Sequence, residues 1–353
     1  MAISTTSVSP KDFQLAFVKE AVAGTAVVSS MNLINIDSIE MPTLNQLQVT
    51  DVRHGTGRTL KQVDAFTTNE LTVKEISFSG VADKVVLPAL LENITQDATG
   101  VGGSGDDLYE VLNNYDPDGV LYGATTSHAN NTLTFTVVID NPVSPADSTS
   151  RSMIFPGCFL TSLTINGDIG EESGRVKMSG TFKTGKVLDL TPTSGESNVP
   201  TFGNTAHFDD NYFMSDFSTT TVAGVSECVM KSFSLTLEND VQFMGHDANG
   251  NYQVAQRALP EVIATVDSVV KYDAKTADLI NGFDSQSLGG ESGHVDIDLQ
   301  MAAGTNKIGI DIDHTMLTDV SFSEEEAMFL SVSQKAIADA TGTNKFFTIK
   351  ATN

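Results

Sequence analysis

The chain has no tryptophan, only two cysteines and ten prolines in 353 residues, and just 20 lysines and arginines against 45 aspartates and glutamates. Each scarcity excludes something. Without tryptophan, and with aromatics at 7%, there is little from which to build the aromatic platform of a carbohydrate-binding module. Cys158 and Cys228 are isolated, with no C-x-x-C spacing. They read as buried thiols of a reducing compartment, and neither a disulfide scaffold nor a zinc site follows from them. No apolar run approaches the roughly 20 residues that a membrane-crossing helix needs. The opening MAISTTSVSPKDF has neither the basic segment nor the apolar core of a secretory leader. Residues 1–12 are expected to form an arm.

The shortage of cations is the most informative absence. A formal net charge of −25, shared by both halves of the chain and not gathered in a tail, repels nucleic acid instead of gripping it. A saline source would also favour such a surface. Catalytic signatures are missing too: there is no G-x-S-x-G, phosphate-binding loop, dinucleotide fingerprint, H-E-x-x-H or kinase set. The glycine-rich GVGGSGDD (100–107) runs into acids and lacks a lysine, so it reads as a loop. DPDG (116–119) and HDANGN (246–251) offer carboxylates but no bidentate glutamate to complete a calcium loop. Turn chemistry accounts for both. Of six scattered histidines, His294 and His314 are the pair that neighbouring strands could bring together, but exposed strand ends explain them far better than a ligand set does. The expectation is therefore no enzyme, no cofactor and no metal.

What the sequence does have is period two. Alternating segments with turn residues between them predict strands at 12–20, 70–80, 131–140, 175–185, 231–239, 261–270, 294–302 and 307–316,. Helical periodicity is confined to 81–94, with Pro88 expected to kink or split it, and to 273–283, where Asp273 offers an N-cap and Gly282 a stop,. Many short strands and two helices predict a mainly β fold, two β-sandwiches each carrying one short α-helix.

The same order of elements occurs twice. A strand runs into a helix at 70–94 and again at 261–283, an offset close to 190 residues; a hairpin follows at 160–180 and again at 317–335, an offset of 157. An insertion at about 96–131 accounts for the difference. Two tandem domains follow, 1–190 and 191–353, divided in the Thr/Ser/Pro/Gly-rich stretch 188–204,. In the second, Val295, Ile297 and Leu299 alternate with Asp296 and Asp298, and Ile308, Ile310 and Ile312 with Asp311 and Asp313. One face of that sheet should be core and the other carboxylate. The comparable first-half strand is milder, with Thr134 and Thr136 alternating with Leu133, Phe135 and Val137.

The segment FQLAFVKEAVAGTAV (13–27) and the strand–turn–strand FPGCFLTSLTINGDIGEESGRVKMSGTFKTGK (155–186), together with the sandwich-plus-helix pattern, resemble the major tail tube proteins of long-tailed bacteriophages. The resemblance implies a structural virion protein, made in the host cytoplasm and carried in the tail. Its copies would form rings that stack into a channel for DNA ejection. The repeat turns the usual six-copy ring into three chains with pseudo-six-fold symmetry, each chain two tandem tail-tube-like β-sandwich domains. The implied partners are further copies of the chain, the tape-measure protein in the lumen, and DNA in transit without specific binding; no membrane is involved. Asp296, Asp298, Asp311, Asp313, Thr134 and Thr136 are then expected to face the lumen. Arg53, Arg58 and Lys61, rare cations in the loop 48–65, are expected to reach the next ring. A capsid decoration protein, a tail terminator or a calcium- or carbohydrate-binding β-module is the alternative.

Overall fold

A computed structural model describes residues 13–42, 73–95, 106–112, 134–141, 152–171, 174–186, 200–203, 212–239, 241, 262–284, 295–301, 307–324, 328–337 and 345–352. Seventeen strands and two helices follow one another in these residues. The first half holds β1 (Gln14–Lys19), β2 (Asn32–Ile34), β3 (Ile36–Glu40), β4 (Lys74–Val81), α1 (Val86–Thr95), β5 (Asp106–Leu112), β6 (Phe135–Asp140), β7 (Ser152–Asp168) and β8 (Lys177–Thr184). The second half holds β9 (Phe213–Val222), β10 (Val225–Ser226), β11 (Met230–Asn239), β12 (Val262–Lys271), α2 (Ala277–Asp284), β13 (Val295–Met301), β14 (Lys307–Ile312), β15 (Thr315–Glu324), β16 (Met328–Ala336) and β17 (Lys345–Thr352). Among the described residues no helix is long and apolar enough to cross a membrane.

The named strands all pair antiparallel, in an eleven-stranded and a six-stranded sheet, while an isolated bridge from Met31 to Phe202 is parallel. Strands such as β8 and β16 alternate buried and half-buried residues along their length, as one-sided burial requires. β6 departs from this: all six of its residues are buried, because both of its faces are covered. Phe17, Phe78, Phe135 and Phe182 form an aromatic cluster with ring centroids 5.0–6.5 Å apart. Burial of one such ring stabilises the fold by about 1.5–3 kcal/mol.

Both helices start later than the periodicity predicts, and the reasons are local. Asp83 Oδ1 accepts the backbone N–H groups of Val85 and Val86, both at 2.8 Å, so α1 begins only at Val86. Pro88 falls in its first turn, where a missing N–H costs nothing, and no kink is needed. At α2, Asp273 Oδ1 accepts from the N–H groups of Lys275 and Thr276 while Thr276 Oγ1 accepts from the N–H of Asp273. This reciprocal cap delays the helix to Ala277. Gly282 lies inside α2 and does not end it.

The strand order itself repeats. In the first half β3, β4, β8 and β7 lie side by side; in the second, β11, β12, β16 and β15 do. A second set, β2-β1-β6 continuing into the start of β7, corresponds to β10-β9-β13-β14. The irregularities recur as well. Register shifts between Leu160 and Ser162 where β7 meets β8, and between Leu317 and Asp319 where β15 meets β16. It shifts between Ile36 and Ser38 in β3, and between Met230 and Ser232 in β11. Bulges at matching places are a more demanding likeness than strand order, since each must be fixed by its own sequence.

The halves meet without a break. β7 of the first pairs with β11 of the second from Ser162↔Glu238 to Asp168↔Ser232, and one hydrophobic cluster draws residues from both. β5, inside the stretch read as a first-half insertion, pairs with β17 and so extends the six-stranded sheet of the second half. Most of the expected dividing segment 188–204 lies outside the described residues.

Candidate functional site

The run β3-β4-β8-β7-β11-β12-β16-β15 buries one face and leaves the other open, and hydroxyls dominate the open face. Directly opposed residues share a face, so the pairing gives its rows. One row is Ser38, Ser79, Ser179, Thr164, Thr236 and Thr265, ending in Lys335 and Met316. Another is Asn166, Ser234, Asp267, Ser333 and Asp319. None of these side chains is buried.

Neighbouring hydroxyls bond one another across strand boundaries. Ser38 and Ser79 Oγ are 2.8 Å apart, Ser77 Oγ and Thr181 Oγ1 3.0 Å, and Thr164 and Thr236 Oγ1 3.3 Å. Ser333 Oγ donates to Asp267. Three of the cations near this face are engaged locally: Lys183 pairs with Glu75 at 2.7 Å, Lys177 with Asp37 at 2.6 Å, and the Lys231 ammonium lies 5.5 Å from the centre of the Phe329 ring. Lys271, exposed, and Lys335, half-buried, also stand on it. A face dominated by hydroxyls, with three of its lysines engaged by neighbours, holds a polyanion only weakly.

The run ends in two edges, β3 and β15, each hydrogen-bonded to a strand on one side only among the described residues. Large apolar side chains stand exposed at both. Met41, directly after β3, is 39% exposed, and Phe322 in β15 is 51% exposed. Exposed edges of this kind invite another strand.

The residues expected at the lumen fall elsewhere. Asp296 and Asp311 stand opposite each other across β13 and β14, and Asp298 stands opposite Gly309. Asp313 is exposed just after β14. All four belong to the six-stranded sheet or its margin, away from the hydroxyl face. Thr134 and Thr136 require a correction, because they are 3% and 0% exposed and lie inside the subunit. Their hydroxyls donate to the buried carboxylate of Glu20, which also accepts from the N–H groups of Gly24 and Gly157. Gly157 sits at φ 65°, a backbone region that glycine enters without penalty. Glu20 thus clamps the turn after β1 to β6 and β7, and nothing in the alternation of β6 announces it. Arg53, Arg58 and Lys61 lie outside the described residues.

Chemically reactive groups are muted. Burial, and after it the nearby Glu20 charge, push the Cys158 thiol well above its usual range, and burial also raises Cys228. An open groove of about 470 Å³ beside Cys228 is lined by Ile169, Ser215, Phe217, Val229 and Met230, which assemble no acid–base pair. Among the described residues no cluster of three His, Cys, Asp or Glu could hold a metal ion.

No curated protein matches the chain. A family model described as phage tail tube protein matches residues 11–343. That span takes in both repeats, the hydroxyl face and both free edges, and on it the chain belongs to the phage tail tube protein family, a β-rich structural component of the virion.

Proposed function

We propose that the protein assembles as rings of three chains with pseudo-six-fold symmetry, that the rings stack into the tail tube, and that the hydroxyl face lines its bore. The observation that carries this reading is the recurrence of strand order and bulges in the two halves, with β7 and β11 joining them edge to edge. One chain then supplies two ring positions, two tandem tube-like units in place of two subunits.

The dimensions favour three chains. At about 4.8 Å between strands and a tilt near 40°, the strands from β3 to β15 span roughly 50 Å of wall per chain. Three chains enclose a bore of about 48 Å between backbones, or about 38 Å once side chains are allowed half of the 10 Å sheet spacing on each side. Two chains leave about 22 Å by the same reckoning, almost no clearance around a hydrated duplex. DNA slides through such a bore because hydroxyls dominate its wall and three of the lysines near it are already engaged, and the tape-measure protein occupies the same space before ejection.

A second reading places Asp296, Asp298, Asp311 and Asp313 at the bore. It is motivated by Asp296 and Asp311 facing each other across β13 and β14, an arrangement costly for stability alone. Asp→Asn changes at all four separate the two readings. Unchanged DNA ejection keeps the hydroxyl face as the lining, and slowed ejection transfers that role to the aspartates.

Negative-stain electron microscopy of concentrated protein tests the assembly. End-on averages should be hollow with three-fold modulation. Compact particles without a central hole would overturn the channel, and a six-chain mass by native mass spectrometry would overturn the count of three.

A further inference from the structure

We infer that β3 of one chain pairs with β15 of the next, antiparallel, in the register that β7 and β11 use within the chain. This rests on the ring reading above and adds which edges meet and residue by residue how. The recurrence supplies the mapping. The matched bulges align β7 with β15 through Leu160 and Leu317, and β3 with β11 through Ser38 and Ser232. Inside the chain, the β7 edge is covered by β11. The corresponding edge of β15 has no strand beside it among the described residues, and neither does that of β3.

Transferring the β7–β11 register to these edges makes a pairing that was not imposed. Leu235 stands opposite Ile165, and both are fully buried, at 1% and 0% exposure. Their counterparts are Met41 and Phe322, two of the few large apolar side chains that are exposed, at 39% and 51%. Each is therefore unshielded in the single chain and would be covered by the other in the ring. Phe322 already leans on Tyr272, with ring centroids 5.5 Å apart, which leaves its far side for the incoming methionine. On the open face, Glu40 would stand opposite Ser323, as Ser234 stands opposite Asn166, and the row of polar side chains would continue from chain to chain. Pro42 takes the place of Thr236 and cannot donate to the ladder, so the pairing ends before it. A second copy of this chain is the occupant that fits, because the same surface has already been matched once within the polypeptide.

Cysteine pairing reads the register directly. Opposed residues of an antiparallel pair have Cα atoms about 4.5–5.5 Å apart, within disulfide range, and both native cysteines are buried. After mild oxidation of rings, Met41→Cys/Phe322→Cys should give a covalent ladder that ends at three chains on a non-reducing gel and collapses with reductant. Glu40→Cys/Phe322→Cys, one position out of register and so on opposite faces, should give none. Wild-type rings visible by microscopy, with the first variant uncrosslinked or the second crosslinked equally well, would overturn the seam and leave the ring. Wild-type protein that forms no ring would overturn the ring reading and the seam together. Phe322→Glu provides a check that does not depend on oxidation. It should leave the circular dichroism of the single chain unchanged while cutting ring formation at least tenfold. Undiminished ring formation by that variant would also overturn the seam.

Discussion

Replacing Glu20 with alanine removes one carboxylate and strands four donors. The N–H groups of Gly24 and Gly157 and the hydroxyls of Thr134 and Thr136 all converge on it, and Glu20 itself is only 6% exposed. A hydrogen bond to a charged acceptor contributes about 1.5–3 kcal/mol, and leaving a buried donor unpaired costs about 1–3 kcal/mol. Water entering the space left by the side chain recovers part of this, so the expected loss is about 4–6 kcal/mol, a large share of the 5–15 kcal/mol typical of a folded domain. Thr136→Val removes one donor, leaves the carboxylate three and takes the acceptor from the N–H of Val27, for an expected loss of about 2–3 kcal/mol. Urea titrations followed by circular dichroism measure both. The double variant should lose less than the sum of the single losses, since the two residues share the bond. A Glu20→Ala protein within 1 kcal/mol of wild type would refute the clamp. A Thr136→Val protein of unchanged stability but altered DNA ejection would return that residue to the bore.

Other expectations follow from single contacts. A Cβ on Gly80 would come 2.2 Å from the backbone oxygen of Asn35, so Gly80→Ala should lose at least about 3 kcal/mol or fail to give soluble protein. Both thiols should resist alkylation in native protein at pH 8 and react at once in denaturant. Their folded pKa values are raised, so stability should fall as pH climbs past the ordinary thiol value of about 8.5, where only the unfolded chain gives up the protons. The Asp273 carboxyl is held below its usual range by the N–H groups of Lys275 and Thr276. Its contribution is present above the ordinary aspartate value and fades as pH falls through the lowered one, so Asp273→Ala should lower the melting temperature at pH 7 and matter less in acid. Thr164→Lys with Thr236→Lys should preserve assembly and make DNA ejection slow and salt-sensitive; ejection at the wild-type rate in low salt would argue against the hydroxyl face as lining.

Much of the fold was legible because one-sided strands write their burial into every second residue. The paired hairpins at 160–180 and 317–335, the offset near 190 and the family resemblance all came from that pattern, and the family match supports the tail tube class over a decoration protein or a carbohydrate-binding module. Most of the strands that escaped notice have a weak pattern. β2, β3 and β10 are short, β9 is dense in serine and threonine, and β5 follows a glycine-rich stretch of sequence; β17, in which Phe347, Ile349 and Ala351 alternate with Thr348, Lys350 and Thr352, went unread. Thr134 and Thr136 misled because alternation identifies a solvated face only when one face is solvated, and β6 is covered on both. Their partner lies 114 and 116 positions away, and no local pattern encodes it. The hydroxyl face was present in the sequence as alternating serine and threonine, but a solvated sheet looks the same. Its distinction comes from running unbroken across both halves.

The join between β7 and β11 has a kinetic consequence. Two edges on separate molecules meet at a rate set by their concentration, whereas these two belong to one polypeptide and meet at an effective concentration that does not depend on how much protein is present. Half of the joints in a closed ring of this chain would be made during folding, before any encounter between molecules. Assembly would then scale with the third power of subunit concentration instead of the sixth, and partly built rings would have fewer ways to stall. The tether also fixes which half neighbours which, so the two can drift apart in sequence without losing each other. β5 and β17 extend the sheet of one half only, an asymmetry that such freedom would permit.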